Sequence, residues 1–147
     1  MSTVFNFTFV PWFRAVAPYI HMHRGKTFVV GVVGEAIAAG KLGNIATDLA
    51  LIQSMGVKIV LVHGFRPQVN EQLRAKGHEP RYAHGLRITD EVALDSAQEA
   101  AGQLRFEIEA AFSQGLPNTP MAGSKVRVIS GNFLTARPMG IIDGVDF

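Results

Sequence analysis

The sequence predicts an α/β domain built on a mainly parallel sheet, and three observations predict it. Residues 26–33 and 57–63 are short, β-branched, near-continuously apolar runs, which read as strands buried on both faces, the habit of parallel sheets. Helical patterns lie between and after these runs, and such alternation gives layered α/β packing. The composition, 48% hydrophobic and 18% charged over 147 residues, suits one domain with a real core.

The elements follow in order. Thr8 can cap a first helix, and Pro11 suits its first turn, where a missing N–H costs nothing. Phe9, Phe13, Val16 and Ile20 recur at helical spacing as one apolar stripe, Pro18 should kink it, and Gly25 should stop it. After the strand at 26–33, residues 34–43 read as a loop, and Asn44 as the cap of a helix reaching Ser54 or Met55. The strand at 57–63 runs into the turn Gly64-Phe65-Arg66-Pro67, then a helix over 68–76 ended by Gly77. Residues 78–88 read as extended and irregular. Thr89 or Asp90 caps a long helix to Ser113, apolar at Val92, Leu94, Ala97, Ala101, Leu104, Ile108 and Phe112. Two strands, 125–130 and 133–136, should form a hairpin at Gly131-Asn132. The last nine residues are apolar and turn-rich with no closing element, which predicts a piece of a longer chain.

Several function classes are disfavoured. The formal charge is only +2, and the basic residues are scattered rather than gathered into a stripe, so no nucleic-acid partner is expected. There is no cysteine, which removes disulfides, thiolate metal sites and a Cys nucleophile and suits a cytoplasmic protein. No run approaches the ~20 apolar residues of a membrane span, so no membrane association is expected. The five histidines sit at 21, 23, 63, 78 and 84 without the paired spacing of a zinc site, and no metal is expected. A Gly-x-Ser-x-Gly elbow is absent, so nothing points to a hydrolase.

Chemistry in open α/β sheets collects beyond the carboxyl ends of strands, where helix N-termini offer free N–H groups. Two glycine-containing loops lie there, Gly31-Val32-Val33-Gly34-Glu35 and His63-Gly64-Phe65-Arg66-Pro67. Both an anion cradle and an ordinary tight turn account for such glycines. With His23-Arg24-Gly25-Lys26, Val62-His63-Gly64-Phe65-Arg66-Pro67-Gln68-Val69-Asn70 and Gly85-Leu86-Arg87-Ile88-Thr89-Asp90, they resemble the amino acid kinase fold. Adding Pro18-Tyr19-Ile20, Asn118-Thr119-Pro120, Ser130-Gly131-Asn132-Phe133 and Asp143-Gly144-Val145-Asp146, the chain resembles the N-acetylglutamate synthases within that fold.

The resemblance implies a three-layer sandwich with a mainly parallel sheet, of which this chain is the N-terminal portion. Residues 1–25 form a leading helix and 26–147 the first half of the kinase-like domain. It also implies a regulatory and assembly role in an acetyltransferase of arginine biosynthesis. On the same resemblance, L-arginine is expected as feedback inhibitor, acetyl-CoA as substrate of an acetyltransferase domain outside these residues, and a homo-oligomer as the assembly. No catalytic residue is expected in this chain. Tyr19 is the residue to carry over to the arginine site, with simple packing of the first helix as the alternative.

Departures from the kinase pattern matter as much. The position of the kinase lysine reads Gly31, the paired glycines read Val33-Gly34, and the second glycine run reads Gly64-Phe65-Arg66-Pro67. Phosphoryl transfer rests on positive charge and amide donors at the phosphates, so these positions are expected to be vestigial. Arg87 aligns with a kinase arginine that holds a substrate carboxylate; an ion pair with Asp90 or Glu91 is the competing expectation. Arg66 is expected to meet an acidic residue across the same cleft. Two rival readings remain: an active amino acid kinase, and a stand-alone binding module.

Overall fold

A computed structural model describes residues 9–114, 126–133, 135 and 137–147 of the chain. Its elements are α1 (Phe9–His23), β1 (Thr27–Val32), α2 (Gly34–Ala38), α3 (Leu42–Ser54), β2 (Lys58–His63) and α4 (Arg66–Ala75). The hairpin β3 (Tyr82–Ala83) and β4 (Leu86–Arg87), the long helix α5 (Glu91–Ser113), and the hairpin β5 (Ile141–Ile142) and β6 (Val145–Asp146) follow.

The strands β1 and β2 pair in parallel, from Thr27 opposite Lys58 to Val32 opposite His63. Parallel pairing needs a crossover, which α2 and α3 supply. Side chains alternate across the sheet, so Phe28, Val30 and Val32 with Ile59, Leu61 and His63 share one face. Helices cover that face. Ala46 and Leu49 of α3 meet Ile108 and Phe112 of α5 over Val30, Ile59 and Leu61. Leu104 joins Val32 and Ile37 in an adjoining cluster, and Val69 and Leu73 of α4 pack on Ala93 and Ala100 of α5. Burying a leucine such as Leu104 stabilises by about 2 kcal/mol, and α5 touches all three clusters.

The opposite face corrects the expectation of strands buried on both sides. Val29, Val60 and Val62 are exposed there, Val29 at 71%. The described residues supply the sheet and one layer of helices, and none of them covers this second face.

Other expectations are revised by tertiary contacts. Residues 34–38 are helical rather than loop, because the first turn of α2 is pressed against the loop after β2. The helix α3 begins at Leu42 behind Lys41, so Asn44 lies inside its first turn instead of capping it. The helix α4 begins at Arg66, with Pro67 in its opening turn, not at Gln68. Residues 82–87 form a short hairpin within the stretch read as irregular. Residues 126–133 join no strand ladder; Val126 packs against the α3–α5 core and Ser130 donates to Glu109 Oε1 at 3.0 Å. Thr8, Lys125, Leu134 and Ala136 lie outside the described residues. The closing nine residues contain the hairpin β5–β6. The helix α1 runs through Pro18 to His23 as one element.

The long helix starts as its sequence predicts. Asp90 caps it, its carboxylate accepting from the Ala93 amide at 2.9 Å, while Arg81 donates to the same carboxylate at 2.6 Å. The Ala93 amide first, and the Arg81 guanidinium second, hold the Asp90 carboxyl below its ordinary range. A depressed carboxyl stabilises the fold above the unfolded value and loses that contribution as pH falls through the folded one. Asp90→Ala is expected to cost about 1 kcal/mol at neutral pH. The exposed Arg81 pair adds little to this. In denaturant titrations the deficit should shrink as the pH is taken below the carboxylate range; a deficit independent of pH would contradict the cap.

Candidate functional site

The carboxyl ends of β1 and β2 bring their two loops together. The Gly64 amide donates to the Val32 carbonyl at 2.8 Å, continuing the ladder one step past the strands. A Cβ on Gly34 would lie 3.0 Å from the Gly64 carbonyl oxygen, the Phe65 nitrogen and Pro67 Cδ alike. One on Gly64 would lie 3.1 Å from the Gly34 nitrogen. Gln68 Nε2 reaches back from α4 to the Gly34 carbonyl at 3.1 Å. A side chain at either glycine would require a neighbouring atom, mostly backbone, to give by a few tenths of an ångström. These glycines serve close backbone packing.

Gly31 is different. It lies on the exposed face of β1, and a Cβ there would have nothing within 4 Å. A lysine would fit, so the absence of an ammonium is a property of the sequence and not of the space. Lys58 stands at the far end of the strand pair, opposite Thr27.

Next to these loops is a cleft of about 300 Å³ lined by Gly64, Phe65, Arg66, Val69, Tyr82, Gly85, Leu86 and Arg87. Its cations are guanidinium groups. Arg66 and Arg87 both lie against the Tyr82 ring, 5.4 and 5.1 Å from its centroid, as cation–π partners. The Tyr82 hydroxyl donates to Asn70 Oδ1 at 2.8 Å, which fixes the ring. Arg87 Nη2 donates to the Arg66 carbonyl at 3.3 Å, while its Nη1 and Gln68 Oε1 are buried without a partner among the described residues. Arg87 thus pairs with neither Asp90 nor Glu91: Arg81 holds Asp90, because the turn of the hairpin carries Arg87 to the cleft side. Arg66 likewise meets no acid among the described residues; Tyr82 is its neighbour.

The structure therefore brings Gly34, Gly64, Arg66 and Arg87 together, with Gly31 one step back on the strand. Tyr19 does not line this cleft; it is 61% exposed on α1. Tyr82 belongs to the site without having been singled out from the sequence, while Gln68 and Asn70 stood only inside the quoted run from Val62 to Asn70. The signal for Tyr82 was the pattern Tyr82-Ala83-His84-Gly85-Leu86-Arg87, a two-residue hairpin whose turn holds His84 at φ 50° and Gly85 at φ 77°. A larger hollow of about 420 Å³ beside His78, Glu79, Arg81 and Asp90 has its Arg81–Asp90 charges already paired. Among the described residues no three His, Asp or Glu side chains gather as a metal-ligand set.

Residues 26–144 match the amino acid kinase family. The chain belongs to that family. Within it, the chain is 60% identical over 139 residues to an amino-acid acetyltransferase of Ralstonia nicotianae, covering 95% of this chain and 31% of the relative. An amino-acid acetyltransferase of Photobacterium profundum is 50% identical over 138 residues, 94% of this chain and 31% of its own length. Among solved structures, the N-acetylglutamate synthase of Neisseria gonorrhoeae, complexed with coenzyme A and L-arginine, superposes with a TM-score of 0.82 at 43% identity. That match covers 94% of this chain and 32% of the synthase. The chain spans about a third of the length of the relatives it matches. The amino acid kinase fold is thus shown, in a chain related over nearly all its length to acetyltransferases.

Proposed function

We infer that this chain is the front, kinase-like part of an N-acetylglutamate synthase, an enzyme that transfers acetyl from acetyl-CoA to glutamate. In this reading it carries no phosphotransfer, takes part in arginine feedback and in assembly, and works in the cytoplasm, with acetyl transfer carried by residues outside its span. The observation that carries the reading is the 60% identity to an amino-acid acetyltransferase along 95% of the chain. The L-arginine and coenzyme A bound by the Neisseria gonorrhoeae synthase support the regulatory and substrate assignments. The positions Gly31, Gly34, Gly64, Arg66 and Arg87 are then remnants of a kinase site, and Tyr19 is a contributor to the arginine site.

Arginine recognition needs carboxylates for the guanidinium and donors for the α-carboxylate. Residues 9–24 contain no Asp or Glu, so α1 offers Tyr19 but not the acids. Coenzyme A needs amides for its pyrophosphate, commonly at a helix N-terminus, and the loops before α2 and α4 belong to the kinase-like fold and pack on each other at Gly34 and Gly64. The 147-residue chain is therefore expected to release no thiol from acetyl-CoA in the presence of glutamate, and to give little heat with arginine in calorimetry. Thiol release above background would move the acetyl-transfer site into this chain. Tight arginine binding would place the complete sensor within it.

Assembly rests on α1. Phe9, Val10, Trp12, Phe13 and Tyr19 are all exposed, and no residue of the helix is buried. Exposed apolar surface of this kind marks interfaces. Removing residues 1–24 from a synthase containing this chain is expected to lower the particle mass in light scattering. An unchanged mass would count against α1 as an assembly element.

A further inference from the structure

Two hairpins of like build stand far apart in the chain, β3–β4 and β5–β6. Each joins two-residue strands through a two-residue turn, His84-Gly85 in the first and Asp143-Gly144 in the second. Turns of this type need positive φ at both central residues, and the two match closely, 50° and 77° against 49° and 80°. Glycine takes that backbone freely, and His and Asp are among the few other residues that are enriched there. The turns meet at these side chains: His84 Nε2 lies 3.8 Å from Asp143 Oδ2. The first hairpin also walls the cleft with Tyr82, Gly85, Leu86 and Arg87. The second closes where the Phe147 amide donates to the Gly140 carbonyl at 3.2 Å.

We propose that His84 and Asp143 form a protonation-dependent clasp, which holds the β3–β4 wall of the cleft to the β5–β6 hairpin while the imidazole is charged and releases it when the imidazole is neutral. At 3.8 Å the pair is too long for a hydrogen bond, so charge is the whole of the attraction. Histidine is the side chain that ordinarily gains and loses its charge in the physiological range. The other charged groups of the neighbourhood are engaged elsewhere. On the first hairpin's side Arg81 is held by Asp90, while Arg87, and Arg66 from α4, lie on the Tyr82 ring. The Tyr82 hydroxyl is held by Asn70. On the second hairpin Asp146 makes no ion pair among the described residues, which leaves Asp143 as the carboxylate that meets the imidazole. The attraction is complete below the imidazole's titration and is lost as pH rises through it. His84 and Asp143 are 55% and 76% exposed, which limits such a pair to an effect of at most about fivefold on an equilibrium. Within that limit, the wall that seats Arg66 and Arg87 answers to the protonation of one side chain.

Each hairpin carries its own reporter. The Ile88 amide donates to the Arg81 carbonyl at 3.0 Å at the foot of the first, and the Phe147 amide serves the second. Hydrogen exchange of both amides is followed by NMR in the full 147-residue chain at about pH 5.5 and about pH 8, either side of histidine's ordinary range. Each rate is divided by that of an unstructured chain at the same pH, so that the pH dependence of exchange itself cancels. Both amides are expected to be more protected at the lower pH, by about two- to fivefold. Asp143→Asn and His84→Asn keep a side chain that suits the turn, so each removes the charge and spares the hairpin. Either variant should leave both amides at the lower protection at both pH values. Protection that is equal at the two pH values in the parent chain would overturn the clasp. So would a pH dependence that survives Asp143→Asn, or one confined to a single hairpin.

Discussion

Gly34→Val is expected to cost the domain about 2–3 kcal/mol, a loss typical of forcing atoms into a filled interior. For a chain of this size that is a fall in Tm of about 5–10 °C. The added atoms would start 3.0 Å from two backbone atoms, the Gly64 oxygen and the Phe65 nitrogen, and from a proline ring carbon. None of these is the free end of a flexible side chain, so the loops must separate. Separation also draws the Gln68 amide from the Gly34 carbonyl and strains the Gly64 amide on Val32. Gly31→Val provides the contrast. Its side chain would enter open space on a strand face, and a β-branched residue suits a strand, so the change should lie within about 0.5 kcal/mol of neutral. Thermal melts of the two variants decide the matter. If Gly34→Val were as mild as Gly31→Val, the interlocked loops would not be a source of stability.

Much of this was legible from short-range signals. The runs around Val29–Val30 and Val60–Leu61 announce strands because β-branched and aliphatic residues follow one another without a break. The long helix announces itself through Asp90 at its start and apolar residues at helical spacing, from Val92 to Phe112. What escaped depends on partners distant in sequence. Residues 34–38 coil because Gly34 rests on Gly64 and Pro67, a contact no local pattern records. Uninterrupted apolar strands suggested two covered faces, but composition cannot say which residues supply each cover, and one face stands bare at Val29, Val60 and Val62. The same holds for the cleft. Its glycines and arginines stood out by position after the strands, whereas Tyr82 acquires its place from Arg66 and Arg87, which approach its ring from two different elements. The Arg81–Asp90 pair, expected at Arg87 instead, turned on the hairpin that residues 82–87 form.

The central claim is that a kinase fold here performs no kinase chemistry. Phosphoryl transfer proceeds by positioning and by stabilising charge on the transferred group, so its groups cannot be removed cheaply. Removing a single stabilising donor from such a site costs about 10²–10³ in rate. In this chain Gly31 provides no ammonium, and Val33 and Phe65 stand where the kinase pattern has glycines. Both Arg66 and Arg87 lean on Tyr82, in the cleft beside those loops. Together these losses place any residual transfer at least about 10⁴-fold below a working kinase. Restoring the charge alone should not help, because Gly31→Lys leaves Val33 and Phe65 in place. The most direct measurement is ATP-dependent phosphorylation of N-acetylglutamate by the purified chain, followed as ADP release with and without the acceptor. The account predicts no acceptor-dependent ADP from the chain or from a synthase that contains it. Acceptor-dependent ADP release that scales with protein concentration would contradict it.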